Sequence, residues 1–199
     1  IGIYQKGVAF IPSQANMFNY IGNFSSIRNY IGSNCITALC ETTDKGKLIV
    51  GTDNDGIYLL DKNYNFIQHL TQDKNPDVPP TVMCLFEDSN KKVWIGSYLS
   101  GISVFDSQTN KLSKTSLRNN EGNEITKVYR FVEDPHKRLW IGTMGTGLYY
   151  VDLPASSASY SDLKVHQALS EKEINQWINT LLYIPNGRLY IGTYDGIQG

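Results

Sequence analysis

Residues 93–106 read VWIGSYLSGISVFD, and the chain writes nearly the same phrase several times over. LIVGTDNDGIYLLD fills 48–61, LWIGTMGTGLYYVD fills 139–152, LYIGTYDGIQG starts at Leu189, and the first residues, IGIYQKGVAFIP, open inside another copy. The first glycine of each copy falls at Gly2, Gly51, Gly96, Gly142 and Gly192, at intervals of 49, 45, 46 and 50 residues. A period of that size points to a propeller or a solenoid. What lies between the glycines decides which.

Each complete copy places three apolar residues before its glycine: Leu48-Ile49-Val50, Val93-Trp94-Ile95, Leu139-Trp140-Ile141 and Leu189-Tyr190-Ile191. Short continuous runs of β-branched and aromatic residues read as strands covered on both faces. A second glycine follows, at Gly7, Gly56, Gly101, Gly147 and Gly196, and the polar stretch between the two marks a hairpin. The interior copies then close a further strand on Asp61, Asp106 and Asp152. Upstream stand CITALCE, TVMCLFED, TKVYRFVED and WINTLLY, and downstream come more polar segments such as NFIQHL at 65–70 and DLKVHQ at 162–167. No segment carries a sustained helical stripe. Four antiparallel strands per repeat, A to D, predict the blades of an all-β propeller. The expected division is a partial blade at 1–30, blades at about 34–72, 79–117 and 124–168, and a partial blade at 174–199. Trp94 and Trp140 are expected in the packing between blades.

At 199 residues, 41% hydrophobic and 19% charged, the chain has the composition of a folded globular protein. A formal net charge of −1 gives no general attraction to nucleic acid or to an anionic membrane, and no apolar run approaches the ~20 residues of a membrane span. Of the three cysteines, Cys35 and Cys40 read as lying in one strand, too far apart to pair, and free, mostly buried thiols are expected.

The pattern aliphatic-x-x-aliphatic-x-Glu, turn, [LV]-W-I-G-T, hairpin glycine, aliphatic, Asp resembles the two-component regulator propeller repeat. It runs from Asn34 to Asp61, from Val82 to Asp106 and from Val128 to Asp152, departing with Ile49 for the tryptophan, and in the last copy with Tyr183 for the acid and Tyr190 for the tryptophan. The resemblance implies the periplasmic sensor region of an inner-membrane hybrid histidine kinase, with further domains in the parent protein and glycan breakdown products as ligands. Such propellers usually have seven blades. The chain covers about four periods, so it is expected to be an arc of a larger propeller, with the remaining blades or a second copy as partners for its open faces.

In a propeller the B–C hairpins and D–A connections share one face, around the channel mouth. Residues there vary over a constant framework: Gln5-Lys6, Asp53-Asn54-Asp55, Tyr98-Leu99-Ser100, Met144-Gly145-Thr146 and Tyr194-Asp195. Tyr98 and Tyr194 could stack on sugar rings, with Asp53, Asp55 and Asp195 accepting hydroxyl hydrogen bonds. The competing reading is solvated hairpin tips. Arg130 stands in strand A where other copies have Ala38, Cys84 and Thr180, and a buried guanidinium there calls for an internal acid or a ligand's carboxylate. Arg28, Tyr30 and Glu173 are further rim candidates.

Chemistry-bearing motifs are not found. Setting Gly56 at position 6 of a calcium loop puts Gly51 and Lys62 at ligand positions 1 and 12. Gly142-Thr-Met-Gly-Thr-Gly147 has the wrong order for a dinucleotide loop and precedes a strand. His69, His136 and His166 show no metal spacing, and the pairs Glu87-Asp88 and Glu133-Asp134 sit where a turn explains them. No catalytic residue, metal or cofactor is assigned. The sequence reading is a non-enzymatic ligand sensor; a glycan-active propeller enzyme and a protein-docking scaffold are the alternatives.

Overall fold

In the computed structural model the described residues are 2–3, 7–10, 19–22, 31–32, 34–155, 158–169, 173–174 and 177–199, and they form strands, turns and loops with no helix. Five antiparallel sheets follow in chain order. Sheet 1 comprises β1 (Gly2–Ile3), β2 (Gly7–Phe10) and β3 (Asn19–Ile21). Sheet 2 comprises β4 (Ile36–Glu41), β5 (Leu48–Thr52), β6 (Ile57–Leu60) and β7 (Phe66–Leu70). Sheet 3 comprises β8 (Val82–Glu87), β9 (Lys92–Ser97), β10 (Ile102–Asp106) and β11 (Lys111–Thr115). Sheet 4 comprises β12 (Val128–Glu133), β13 (Arg138–Thr143), β14 (Leu148–Asp152) and β15 (Val165–Leu169). Sheet 5 comprises β16 (Ile178–Ile184), β17 (Arg188–Thr193) and β18 (Gly196–Gln198). The first strands of successive sheets, β4, β8, β12 and β16, neighbour one another. They are therefore the inner strands, and the sheets are blades of a β-propeller.

The apolar triplets show why this stacking follows from the sequence. Side chains alternate across a strand, so in β9 Val93 and Ile95 join the cluster shared with sheet 2, while Trp94 joins the one shared with sheet 4. In β13 Leu139 and Ile141 face sheet 3 and Trp140 packs toward sheet 5. In β5 Leu48 and Val50 face sheet 1 and Ile49 faces sheet 3. In sheets 2 to 4 the run is unbroken because each of these blades has a neighbour on either side. Trp94 is fully buried, whereas Trp140 is only half-buried.

The repeated first glycine is a socket between blades. A Cβ on Gly51 would lie 2.5 Å from Val82 Cγ1, one on Gly96 would lie 2.8 Å from Val128 Cγ1, and one on Gly142 would lie 2.8 Å from Ile178 Cγ2. Each socket holds the first residue of the next inner strand. Beside it every inner strand carries a bulge, with the register shifting between Ile36 and Ala38, Val82 and Cys84, Val128 and Arg130, and Ile178 and Thr180. The extra residue bends the strand at that end. The second glycines, Gly56, Gly101 and Gly147, have φ of 68°, 75° and 99°, a conformation the hairpin turn requires.

Two expectations need correction. Cys35 precedes β4 rather than lying in it, and of the three thiols, all free, only Cys84 is fully buried. The outer strand of sheet 4 begins at Val165, not Asp162, because the preceding loop folds back over sheet 3. There Thr115 donates its hydroxyl to the Tyr160 carbonyl at 2.5 Å, and Ser116 N donates to the Ser161 carbonyl at 2.9 Å.

Candidate functional site at the channel mouth

The mouth is assembled from two positions per blade. The first is the residue following the Gly-Thr or Gly-Ser pair: Asp53, Tyr98, Met144 and Tyr194. The hydroxyl before it locks each hairpin, Thr52 donating to the Gly56 carbonyl at 2.8 Å, Ser97 to Gly101 at 2.7 Å, Thr143 to Gly147 at 2.6 Å and Thr193 to Gly196 at 3.1 Å. The second is the residue just before each inner strand: Cys35, Thr81, Lys127 and Trp177.

Hydrogen bonds interleave the two sets. Within a blade, Asp53 N donates to the Cys35 carbonyl at 2.9 Å, Tyr98 N to Thr81 at 3.4 Å and Met144 N to Lys127 at 2.9 Å. Between blades, the Thr81 hydroxyl donates to Asp53 Oδ1 at 3.2 Å, Lys127 N donates to the Tyr98 carbonyl at 2.8 Å, and Met144 forms a bridge with Trp177. The rim therefore runs Cys35, Asp53, Thr81, Tyr98, Lys127, Met144, Trp177. Backbone hydrogen bonds hold most of the rim, the Thr81–Asp53 side-chain pair holds the link between sheets 2 and 3, and the residue types at these positions vary from blade to blade.

Of the residues singled out from sequence, Tyr98 and Tyr194 stand on this face, 38% and 80% exposed, with Asp53 and Asp195 exposed beside them. Asp55 is tied into its own blade. The Tyr58 hydroxyl donates to its Oδ2 at 2.7 Å, His69 Nε2 lies 3.3 Å from its Oδ1, and the imidazole stacks on Tyr58 with centroids 3.9 Å apart. Glu173 is exposed. Gln5, Lys6, Arg28 and Tyr30 lie outside the described residues.

Arg130 departs from expectation. It is exposed on the concave wall rather than buried, and among the described residues it makes no ion pair. Its charge still acts on the wall: burial pushes the Cys84 thiol up to about 12, with the nearby Arg130 guanidinium pulling the other way. Sequence reasoning missed Lys127 and Trp177, the latter 48% exposed. The signal was the single position ahead of the aliphatic residue that opens each inner strand.

The Glu-Asp pairs are spent on structure. Asp88 Oδ1 accepts the amides of Asn90 and Lys92, both at 2.9 Å, and Asp134 Oδ1 accepts those of His136 and Arg138 at 2.8 and 3.1 Å. The glutamates join neighbouring blades: Glu87 accepts Thr43 N at 2.9 Å and Glu133 accepts Ser89 N at 2.7 Å. Away from the mouth, a groove of about 490 Å³ separates the outer strands β7 and β11, lined by polar side chains including Gln68, Lys74 and Lys111.

Residues 78–99, spanning β8, β9 and the start of the following hairpin, match the two component regulator propeller. The chain carries a repeat of this kind. Among solved structures, the repeat array is similar to the extracellular domain of a protein assigned to a hybrid two component system in B. thetaiotaomicron, at TM-score 0.71 and 23% identity over 92% of this chain and 23% of that one. A second such B. thetaiotaomicron domain matches at TM-score 0.67 and 20% identity, over 82% of this chain and 23% of that one. PorZ, a surface component of the type-IX secretion system of Porphyromonas gingivalis, matches at TM-score 0.68 and 16% identity, over 96% of this chain and 29% of that one. The propeller array thus spans about a quarter of the length of these structures, and at such identities the likeness establishes the fold. No curated protein matches the sequence.

Proposed function

We propose that this chain is a segment of the periplasmic propeller of a hybrid two-component sensor and that its channel mouth binds a glycan-derived ligand. The observation that carries the reading is the rim itself: a hydrogen-bonded arc of backbone that places Asp53, Tyr98, Lys127, Met144 and Trp177, acidic, aromatic, basic and thioether in turn, at equivalent positions of successive blades. Scaffolds that graft specificity onto rigidly held loops have this organisation. Exposed aromatic faces beside hydrogen-bonding groups suit sugar rings. Support comes also from the regulator-propeller match at 78–99 and from fold neighbours described as extracellular domains of such systems. The ligand acts without being turned over. It shifts how blades and adjoining domains pack, and the change reaches a kinase elsewhere in the parent protein as a rigid-body displacement.

The test is calorimetry and thermal shift of the intact propeller that contains these residues against a panel of neutral and acidic oligosaccharides, alongside Tyr98→Ala and Trp177→Ala. Saturable binding lost in both variants, with no new reducing ends released, is the expected result. Turnover of any oligosaccharide would replace the sensor with a glycan-active enzyme, and absence of binding throughout the panel would favour a docking scaffold.

A further inference from the structure

Two basic residues break the repeat in one and the same blade. At the position ahead of the inner strand, the other sheets carry Cys35, Thr81 and Trp177, where sheet 4 carries Lys127. At the position paired with the socket glycine, they carry Ala38, Cys84 and Thr180, where sheet 4 carries Arg130 paired with Gly142. Cys84 shows what that second position does when its role is structural. Its side chain is buried, a Cβ on Gly96 would lie 2.6 Å from its sulfur, and the thiol donates to the Val128 carbonyl at 3.5 Å. Arg130 fills no such place, standing exposed on the inner wall.

Lys127 is set with equal care. Its φ is 54°, a left-handed conformation that neither Cys35 nor Thr81 adopts at the same place. A non-glycine residue adopts that region at a cost in backbone strain. Its amide and carbonyl are both engaged, by the Tyr98 carbonyl at 2.8 Å and the Met144 amide at 2.9 Å. Among the described residues neither Lys127 nor Arg130 forms an ion pair. Two cations without an ion pair, three residues apart at the start of one inner strand, raise the local positive potential and favour an anion beside them. The residues bonded along the rim on either side are aromatic: Tyr98 before, and Trp177 beyond Met144.

From this juxtaposition we infer that the mouth takes an acidic sugar, a uronic-acid residue of an oligosaccharide, with its carboxylate held by Arg130 and Lys127 and its chain continuing over Tyr98 and Trp177. The inference rests on the glycan-sensor reading above and narrows it. The planar guanidinium fork matches a carboxylate with two parallel hydrogen bonds, and aromatic faces supply the apolar contact of a sugar ring.

The experiment uses oligosaccharides from pectin, alginate and hyaluronan, the same preparations after chemical reduction of their carboxyl groups, and a neutral panel, titrated into the parent chain and into R130Q, R130K and K127Q. The expected outcome is that at least one acidic oligosaccharide binds, that carboxyl reduction and R130Q each weaken it roughly ten- to hundred-fold, that R130K is intermediate, and that added salt weakens binding in the parent more than in R130Q. Unchanged melting temperature in the variants separates lost contact from lost fold. Binding of a neutral or carboxyl-reduced oligosaccharide with undiminished affinity in R130Q overturns the acidic-sugar assignment and leaves the sensor reading standing. No binding by any preparation, acidic or neutral, removes both.

Discussion

The Asp88 carboxylate accepts the indole N–H of Trp94 at 2.8 Å, and Asp134 accepts that of Trp140 at 2.9 Å in the next blade. The two residues are gained and lost together. Where Trp94 is replaced by Ile49, Asp88 is replaced by Thr42; where it is replaced by Tyr190, the acid is replaced by Ile184. A buried tryptophan needs an acceptor, and the aspartate that shapes the turn supplies it.

Asp88→Ala strands the indole N–H, two turn amides and the Tyr160 hydroxyl, which donates to Asp88 Oδ2 at 3.2 Å. Unpaired buried polar groups cost about 1–3 kcal/mol each, so a loss of roughly 3 kcal/mol or more is expected in urea unfolding. Asp134→Ala should cost less, since Trp140 is only half-buried. Equal losses would mean that the indole bond does not govern the effect.

Gly96→Ala drives a methyl group to 2.6 Å from Cys84 Sγ and 2.8 Å from Val128 Cγ1, so sheets 3 and 4 must part. Overpacking of this kind costs about 1–3 kcal/mol. Val128→Ala should be destabilising alone yet partly relieve Gly96→Ala in the double variant, a coupling readable in a double-mutant cycle. Strict additivity would show that the socket does not join those blades.

Glu133→Ala removes the carboxylate that accepts Ser89 N at 2.7 Å across the seam, leaving Lys137 Nζ on Ser89 Oγ at 2.6 Å as the remaining bridge. Because the exposed Ser89 can turn its amide to water once the carboxylate is gone, global stability should fall by only about 1 kcal/mol. The local effect is larger. Amide exchange at Ser89 should accelerate several-fold while that of the β9 core is unchanged.

The acid limb of the stability profile has an identified source in Asp106. Burial alone would push its carboxyl up, but the Lys92 ammonium at 2.7 Å and hydrogen bonds from Gln108 and Thr109 outweigh this and hold it at about 2. A depressed folded pKa gives stability that is present above the ordinary value of 3.8 and lost as pH falls toward about 2. Asp88 works in the opposite sense: burial raises its pKa, so its ionisation as pH rises beyond 3.8 opposes folding. Asp106→Asn should therefore flatten the loss of melting temperature between pH 4 and about 2. An unaltered acid limb would assign it elsewhere.

The blade architecture was legible because packing on both sides of a strand writes itself into an unbroken apolar triplet, and because a shared seam demands a glycine at a fixed spacing. Trp94 was placed correctly for that reason. The hairpin tips were legible as variable positions, but which residues stand beside them was not: Lys127 and Trp177 reach the rim through hydrogen bonds to a different blade, and Asp55 is drawn away by Tyr58 and His69 from its own. Arg130 was expected to be buried because the inner strand lines the channel, and it is exposed. The exposure of the inner wall depends on what stands across the channel, and no local spacing encodes that.

The glycine socket has an evolutionary corollary. The three seams from sheet 2 to sheet 5 use the same two parts, a gap on one sheet and a β-branched plug on the next, so a gene duplication that inserted one whole period would deliver a newcomer already fitted at both flanks. Growth or shrinkage of the array then needs no fresh invention of contacts, and diversification is free to proceed at the rim, where a single altered codon changes the chemistry presented without touching a seam.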